Sequence, residues 1–482
     1  MSRSTDSRAR RRPDSKTSRR LGPAPGSRGP LEIGRGRVLV YGLGRSGLAA
    51  AHLLTHHGVR FGFYDDQEIP GYRNLSDRIR WPEVQVHFQT VSQEMLLGYE
   101  LVVVSPGVPA HTPALLALEG AGLKVISEIE LAFAFASAPI VAVTGTNGKT
   151  TTVTMAQLLL AKAGFASVAT GNIGYPFSLA VQESTPDYWV VEVSSFQLHH
   201  IDRFAPAVAI ITSFAPNHLD WHGDEESYFR AKMNIAANLT QDRSVVYPST
   251  CGQVRRALVS CPALKIPFGP RGALTLSPER GILTRRVAGG RAVPYLDLKR
   301  LGPALSYDWR LVSESIQAVA GLAAAMDLPG STIEEMLVAF TPLKHRIEVI
   351  GVREGVTYVN DSKSTSVDAT IYALKKQHVP VVLMLGGRDK GLAFTDLVPA
   401  ARGRVKAVVA FGEAREKIAR EIGQELPIHL ARDLPEAVDR ARHLAGPGEL
   451  VLFSPACASF DQFKNYEERG ESFRRIVNSF QR

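Results

Sequence analysis

One stretch constrains this chain more than any other: Val143-Thr144-Gly145-Thr146-Asn147-Gly148-Lys149-Thr150-Thr151. It follows the apolar run 140–143, which reads as a buried strand, and precedes a helical pattern over 150–163. A glycine-containing turn between strand and helix lets backbone N–H groups approach phosphate oxygens closely. Lys149 then suits the β- and γ-phosphates of ATP, and Thr150 offers a hydroxyl to Mg²⁺. Gly145, Thr146, Asn147, Gly148, Lys149, Thr150 and Thr151 are therefore candidate ATP-binding residues. The general phosphate-loop pattern has Gly where this chain has Val143, so the strand–loop–helix placement carries the weight. Such a loop calls for further metal ligands. Glu192 ends the apolar strand 188–193, and His218 follows the strand 207–212. Alone, either would pass as a cap, an ion-pair partner or a loop residue. Both gain from lying at strand carboxyl ends, where parallel sheets bind ligands.

The same alternation of strands and helices runs through the whole chain. Strands are predicted at 37–41, 59–64 and 100–104, then at 140–143, 188–193 and 207–212, and finally at 357–360, 379–385, 407–411 and 450–453. Residues 244–300 read as strand and turn pieces, and 311–326 as a helix. This predicts an α/β chain with parallel sheets. Its 482 residues suggest about three domains. The expected division is a basic tail (1–30), a Rossmann-like domain (31–137), a central phosphate-loop ATPase-like domain (138–341) and a C-terminal Rossmann-like domain (342–482).

The net charge of +9 is unevenly placed. Residues 1–30 hold eight Arg and one Lys against two Asp, a net of +7, which leaves about +2 for the body. The high charge is thus no argument for nucleic-acid binding. The tail is poor in large apolar residues and is expected to be disordered, or to reflect an upstream start codon. It has no apolar core of a secretory signal. The longest apolar run, 131–143, is too short to span a bilayer, so no membrane insertion is expected. Cys251, Cys261 and Cys457 show no CxxC spacing, and their odd number fits a reducing cytoplasm.

Several segments together resemble the Mur ligase family of ATP-dependent amide ligases. They are the phosphate loop, Gly-Asn-Ile-Gly (171–174), Glu-Val-Ser-Ser-Phe-Gln-Leu (192–198), Asn-His-Leu-Asp (217–220), Ala-Lys-Met-Asn-Ile (231–235), Lys-His-Arg-Ile-Glu (344–348), Asn-Asp-Ser-Lys-Ser-Thr (360–365) and Leu-Gly-Gly-Arg-Asp-Lys-Gly (385–391). The segment 454–470, with the Gly42-Leu43-Gly44-Arg45-Ser46-Gly47 start, is similar to the D-glutamate-adding members. The resemblance covers about residues 37–480. It implies a monomeric, ADP-forming enzyme of cytoplasmic peptidoglycan precursor synthesis. Its substrates would be UDP-N-acetylmuramoyl-L-alanine and D-glutamate, joined through an acyl phosphate.

The resemblance also implies roles for residues. Lys149, His218 and Lys232 would be catalytic. Two Mg²⁺ ions would be held, one by Thr150 and Glu192, the other near His218 and a carbamylated Lys232. Unaided, Lys232 reads as an exposed helical lysine. Arg346 and Asp361 would contact ATP. Gly42, Leu43, Gly44, Arg45, Ser46, Asp66 and Ser105 would take the UDP group, and Asn172 and His218 the muramoyl part. Lys363, Thr365, Lys390, Ser459 and Tyr466 would surround D-glutamate, since ammonium and hydroxyl donors suit a dicarboxylate.

The chain departs from the family at Asn217, usually Asp, and at Leu311, Val312 and Ser315, where the family carries His and Asn residues linked to the nucleotide. Ser364 and Ser366 replace the usual Ala and Asn. The rival readings are another Mur-type ligase, a folylpolyglutamate synthase and a non-catalytic nucleotide-binding protein. A fourth is an NAD-dependent oxidoreductase, suggested by Gly42–Gly47 with an acid about twenty residues on.

Overall fold

The computed structural model describes residues 21–22, 37–68, 84–92, 97–287, 289–391 and 393–480. The chain forms two compact units. One runs to Ser306 and adds Val312–Phe340, and the other takes Tyr307–Leu311 and the chain from Thr341 onward.

The first unit holds two sheets. Five parallel strands, β1 (Arg37–Tyr41), β2 (Phe61–Asp65), β3 (Val86–Phe88), β4 (Tyr99–Val104) and β5 (Lys124–Ser127), lie in the order β3-β2-β1-β4-β5. The order reverses between β1 and β4, so the loop after β1 opens on the crevice where such sheets take ligands.

The second sheet has nine strands: β6 (Ile140–Thr144), β7 (Ser167–Gly171), β8 (Tyr188–Glu192), β9 (Val208–Ile211), β10 (Ser244–Pro248), β11 (Leu264–Phe268), β12 (Leu274–Ser277), β13 (Ile282–Arg286) and β14 (Ala292–Asp297). Their order is β14-β13-β12-β11-β10-β9-β6-β8-β7. The strands from β7 to β12 run parallel, and β13 and β14 are antiparallel to their neighbours. β6 is buried along its whole length and apolar up to its last residue, Thr144, as suits a central parallel strand. Its carboxyl end is where the order reverses, and the glycine loop begins there.

The connection between the two sheets is clasped by two buried acids in the helix Glu128–Phe135. Glu128 Oε1 accepts from Ser178 N–H at 2.6 Å. Glu130 accepts three backbone N–H groups, from Asp202 (3.0 Å), Arg203 (2.9 Å) and Phe204 (2.9 Å). Ser127 N–H donates to the His200 carbonyl at 2.7 Å.

The second unit is built on β15 (Glu348–Arg353), β16 (Val356–Asn360), β17 (Val381–Gly386), β18 (Val405–Phe411), β19 (Ile428–Leu430) and β20 (Leu450–Phe453), ordered β15-β16-β20-β17-β18-β19. Only β15 is antiparallel. Apolar clusters cover both faces, one around Leu383, Leu385 and Leu452, the other around Met384, Phe453 and Phe473.

Two expectations change. The predicted helix 311–326 starts at Ser313 and ends at Ala325. Asp308 accepts the N–H groups of Arg310 and Leu311 and winds Trp309–Val312 into a 3-10 turn. The tail is not wholly without structure. Leu21 is buried, its N–H donates to the Tyr188 hydroxyl at 3.0 Å, and Arg243 donates to the Gly22 carbonyl at 2.8 Å. Residues 1–20 and 23–30 lie outside the described residues. Among the described residues no helix is long and apolar enough to cross a membrane.

Candidate active site

The glycine loop is shaped by backbone geometry first. Gly145 has φ +147°, and a Cβ there would lie 2.0 Å from Thr212 Oγ1. Gly148, at φ +80°, opens the helix Lys149–Lys162. The chain after β9 braces the loop. Thr212 Oγ1 donates to the Asn147 carbonyl at 2.5 Å, and Asn147 N–H donates to Ser213 Oγ at 2.9 Å. Thr146 Oγ1 meets the Ala215 backbone and lies 3.1 Å from the Tyr228 hydroxyl. Lys149 Nζ folds over the turn, donating to the carbonyls of Gly145 (2.7 Å) and Thr146 (3.0 Å). Ser315 reaches this site: its Oγ accepts from Thr152 Oγ1 at 3.1 Å, directly beneath the loop.

Glu192 is buried at the end of β8 beside this loop. Thr150 Oγ1 donates to its Oε2 at 2.7 Å, and Asn172 Nδ2 donates to its Oε1 at 2.9 Å. Among the described residues no group of three or more His, Cys, Asp and Glu is placed to hold a metal. Mg²⁺ needs no such cage. It is usually held by one or two carboxylates with phosphate and water oxygens. The Thr150 hydroxyl and the Glu192 carboxylate fit that donor set.

Lys232 is the main correction to reading residues singly. It is 3% exposed, not a surface lysine. Its Nζ donates to the Gly145 carbonyl at 3.0 Å and stands 4.7 Å from the centre of the Tyr228 ring. Burial, then the nearby Lys149 charge, pull its pKa well below the ordinary lysine value, while Glu192 opposes them. His218 sits further out at φ +55°, with its ring 4.8 Å from Phe196 and 6.3 Å from Tyr228. Asn217 Oδ1 accepts the His218 N–H at 2.8 Å and so supports this turn.

In the first sheet, Gly42 at φ +97° packs on Ser105, whose Oγ donates to the Gly42 carbonyl at 3.0 Å. Leu43 N–H donates to Asp65 Oδ2 at 2.8 Å. Asp66 accepts the hydroxyls of Tyr41 (2.6 Å) and Tyr64 (3.2 Å). Gly44 precedes the helix Arg45–His56, which begins with the exposed Arg45 and the half-buried Ser46. Arg45 donates to the Gly174 carbonyl, so the loop 172–174 touches the glycine turn at one end and Glu192 at the other.

The second unit gathers the remaining candidates at the carboxyl ends of β16, β17 and β20. Lys363 Nζ donates to the Tyr466 hydroxyl at 2.7 Å, and Lys390 Nζ reaches the Thr365 carbonyl at 3.4 Å. Ser459 is buried. Arg346 is half-buried, whereas Asp361 is 4% exposed. Asp361 accepts from Ile347 N–H (3.1 Å), Ser364 Oγ (2.5 Å) and Ser454 Oγ (2.8 Å). Burial nevertheless raises its pKa to about 6. Asp361 thus ties two loops together within this unit. Reading the sequence missed Tyr228, Ser213 and Arg469. Arg469 alone had a legible signal, because Arg469, Phe473 and Val477 are spaced by four along one buried stripe.

Comparison with known proteins defines the class. Residues 36–127 match the Mur ligase MurD-like N-terminal domain, 143–266 the Mur ligase middle domain, and 345–457 the Mur ligase glutamate ligase domain. The chain belongs to the Mur ligase family. Among its relatives is the UDP-N-acetylmuramoylalanine–D-glutamate ligase of Salinibacter ruber, 40% identical over 465 residues, covering 93% of this chain and 99% of the relative. The ligase of the same name from Acidobacterium capsulatum is 35% identical, covering 93% and 97%. Solved structures support the fold. The MurF ligase of Thermotoga maritima, determined with ADP, has a TM-score of 0.56 at 16% identity, covering 93% of this chain and 96% of that one. A bifunctional folylpolyglutamate synthase/dihydrofolate synthase shares the architecture at a TM-score of 0.53 and 16% identity, covering 73% and 93%.

Proposed function

We propose that this protein uses ATP to add D-glutamate to UDP-N-acetylmuramoyl-L-alanine in peptidoglycan precursor synthesis. The observation that carries the proposal is the convergence of Lys149, Thr150, Glu192 and buried Lys232 on one glycine loop. Near-full-length relatives that bear the name of this reaction support the choice of substrates over a folate. The domain limits 31–137, 138–341 and 342–482 are supported by the three sheets and the three family matches.

A carboxylate is a poor electrophile, so it must be activated first. The γ-phosphoryl group passes to the alanyl carboxylate and ADP leaves. The D-glutamate amine then attacks the acyl carbon, a C–N bond forms, and phosphate departs as the C–O bond breaks. Catalysis of such steps is mostly positioning and charge stabilisation. Residues 145–151 would cradle the phosphates, with Lys149 opposing their charge. Thr150 and Glu192 would hold one Mg²⁺, and His218 with a carbamate on Lys232 a second; bound there, the ions would neutralise phosphate oxygens. Carbamylation requires a neutral amine, which the depressed pKa of Lys232 favours. Loop 42–46, Asp66 and Ser105 would take the UDP group, and Asn172 and His218 the muramoyl part. Arg346 and Asp361 are assigned to the nucleotide. Asp361 would act there mainly by holding its loop. Lys363, Thr365, Lys390, Ser459 and Tyr466 would receive D-glutamate.

The test is phosphate release with Mg-ATP, UDP-N-acetylmuramoyl-L-alanine and a panel of amino acids. D-Glutamate should stimulate it and L-alanine should not. Stimulation by another amino acid alone, or ATP left intact, would reject the assignment. Lys149→Ala should stay folded and lose this activity.

A further inference from the structure

Arg469 is wholly buried, yet among the described residues it forms no ion pair. Its guanidinium is spent on main chain and one hydroxyl. Nε donates to Ser362 Oγ (3.1 Å) and Nη2 to the Ser362 carbonyl (2.8 Å). Nη1 donates to the carbonyls of Cys457 (3.0 Å) and Ala458 (3.1 Å). The Ala458 carbonyl also accepts Arg388 N–H at 2.9 Å, and a Cβ at Gly387 would come within 3.0 Å of Nη1. One planar fork therefore joins the loops after β16 and β20 and packs against the loop after β17, which Arg388 N–H ties to the same Ala458 carbonyl. These are the loops that carry Lys363, Lys390 and Ser459. Tyr466 lies one turn earlier on the same helix, and its carbonyl accepts the Ser362 hydroxyl at 2.8 Å.

A guanidinium taken out of water without a carboxylate is costly. Burial lowers its pKa to about 10, which still leaves it charged at neutral pH. A salt-bridged arginine would hold the loops and cancel its own field. One with no carboxylate in contact holds them and leaves part of its positive potential, offset by the nearby Asp461, around Lys363 and Lys390, which suits a ligand with two carboxylates. Lysine could not replace it, having no fork to reach both Ser362 and the 457–458 carbonyls.

The geometry points to Arg469 as the positioning residue of the amino-acid pocket, setting Lys363, Lys390 and Ser459 for a dicarboxylate without touching it. This rests on the D-glutamate assignment above. The experiment measures steady-state kinetics of wild type, Arg469→Lys and Arg469→Ala, varying each substrate in turn. Both variants should raise KM for D-glutamate by about ten- to hundredfold, the worth of charge-assisted hydrogen bonds. KM for ATP and for the UDP-substrate should stay within about twofold. Added guanidinium chloride at low concentration should recover part of the D-glutamate KM in Arg469→Ala only. If Arg469→Ala fails to fold, judged by circular dichroism, Arg469→Lys decides by the same split. An unchanged D-glutamate KM, or an equal rise in all three, would overturn the inference. Wild type that ignores D-glutamate would instead reject the assigned reaction.

Discussion

Glu130 sits 2% exposed between the two sheets of the first unit, and its substitution by Gln can be worked out atom by atom. The change keeps volume and removes charge. In the wild type, Oε2 accepts Asp202 and Phe204 N–H, and Oε1 accepts Arg203 N–H. The best Gln rotamer places its oxygen at the Oε2 position, which leaves its amide N–H facing Arg203 N–H. One charge-assisted bond is lost, about 1.5–3 kcal/mol, and two weaken from charged to neutral, about 1 kcal/mol each. The sum is about 3.5–5 kcal/mol, against a typical whole-protein stability of about 5–15 kcal/mol. Urea unfolding followed by circular dichroism measures it, with Glu128→Gln as the contrast. Glu128 has one bonded oxygen, and its pKa is raised by burial, so removing its charge should cost less than about 1 kcal/mol. A Glu130→Gln loss below about 1 kcal/mol, or equal losses for both, would refute the reasoning.

Three more outcomes are expected. Gly145→Ala meets both a positive φ and a 2.0 Å clash with Thr212 Oγ1, and should lower ATP-dependent turnover by about a hundredfold or more in a folded protein; activity near wild type would exclude a close phosphate approach. Asp361 titrates near 6 when folded and near 3.8 when unfolded, so between these values the folded state binds more proton and its stability falls as pH rises. Relative to Asp361→Asn, wild type should lose about 2 kcal/mol between pH 4 and pH 7, and parallel stability profiles would contradict this. Lys232 is shifted the other way, so folding sheds its proton and stability gains from rising pH up to the ordinary lysine value. Removing dissolved carbon dioxide should lower turnover and bicarbonate should restore it; indifference to both would argue against the carbamate.

Long buried strands were legible because parallel strands covered on both faces are apolar throughout. β1, β6 and β20 needed no context. β7 was missed, since Ser-Val-Ala-Thr-Gly is only partly buried and bonds to β8 alone. In the site, the glycine loop announced itself through local chemistry. Lys232 did not, because its burial depends on Tyr228 and Gly145, and the latter lies 87 positions away in the chain. Asp361 was read as an acid that contacts ATP; its bonds to two serines and a backbone N–H come from Ser364, Ser454 and Ile347 and had no signal in the local sequence. Leu21 showed no pattern of its own; its N–H is held by Tyr188 and the carbonyl of the next residue, Gly22, by Arg243, both far along the chain.

The loop 172–174 has one further consequence. Gly174 is bonded to Arg45 beside the first glycine turn, and Asn172 to the carboxylate that faces the phosphate loop. If an occupant that pulls Arg45 away from Gly174 also displaces Asn172, it changes what holds Glu192. By thermodynamic reciprocity, a ligand at either end must then alter the other's affinity by the same factor. Such coupling would run through residues 172–174 and would show as one substrate's Kd shifting when the other is bound.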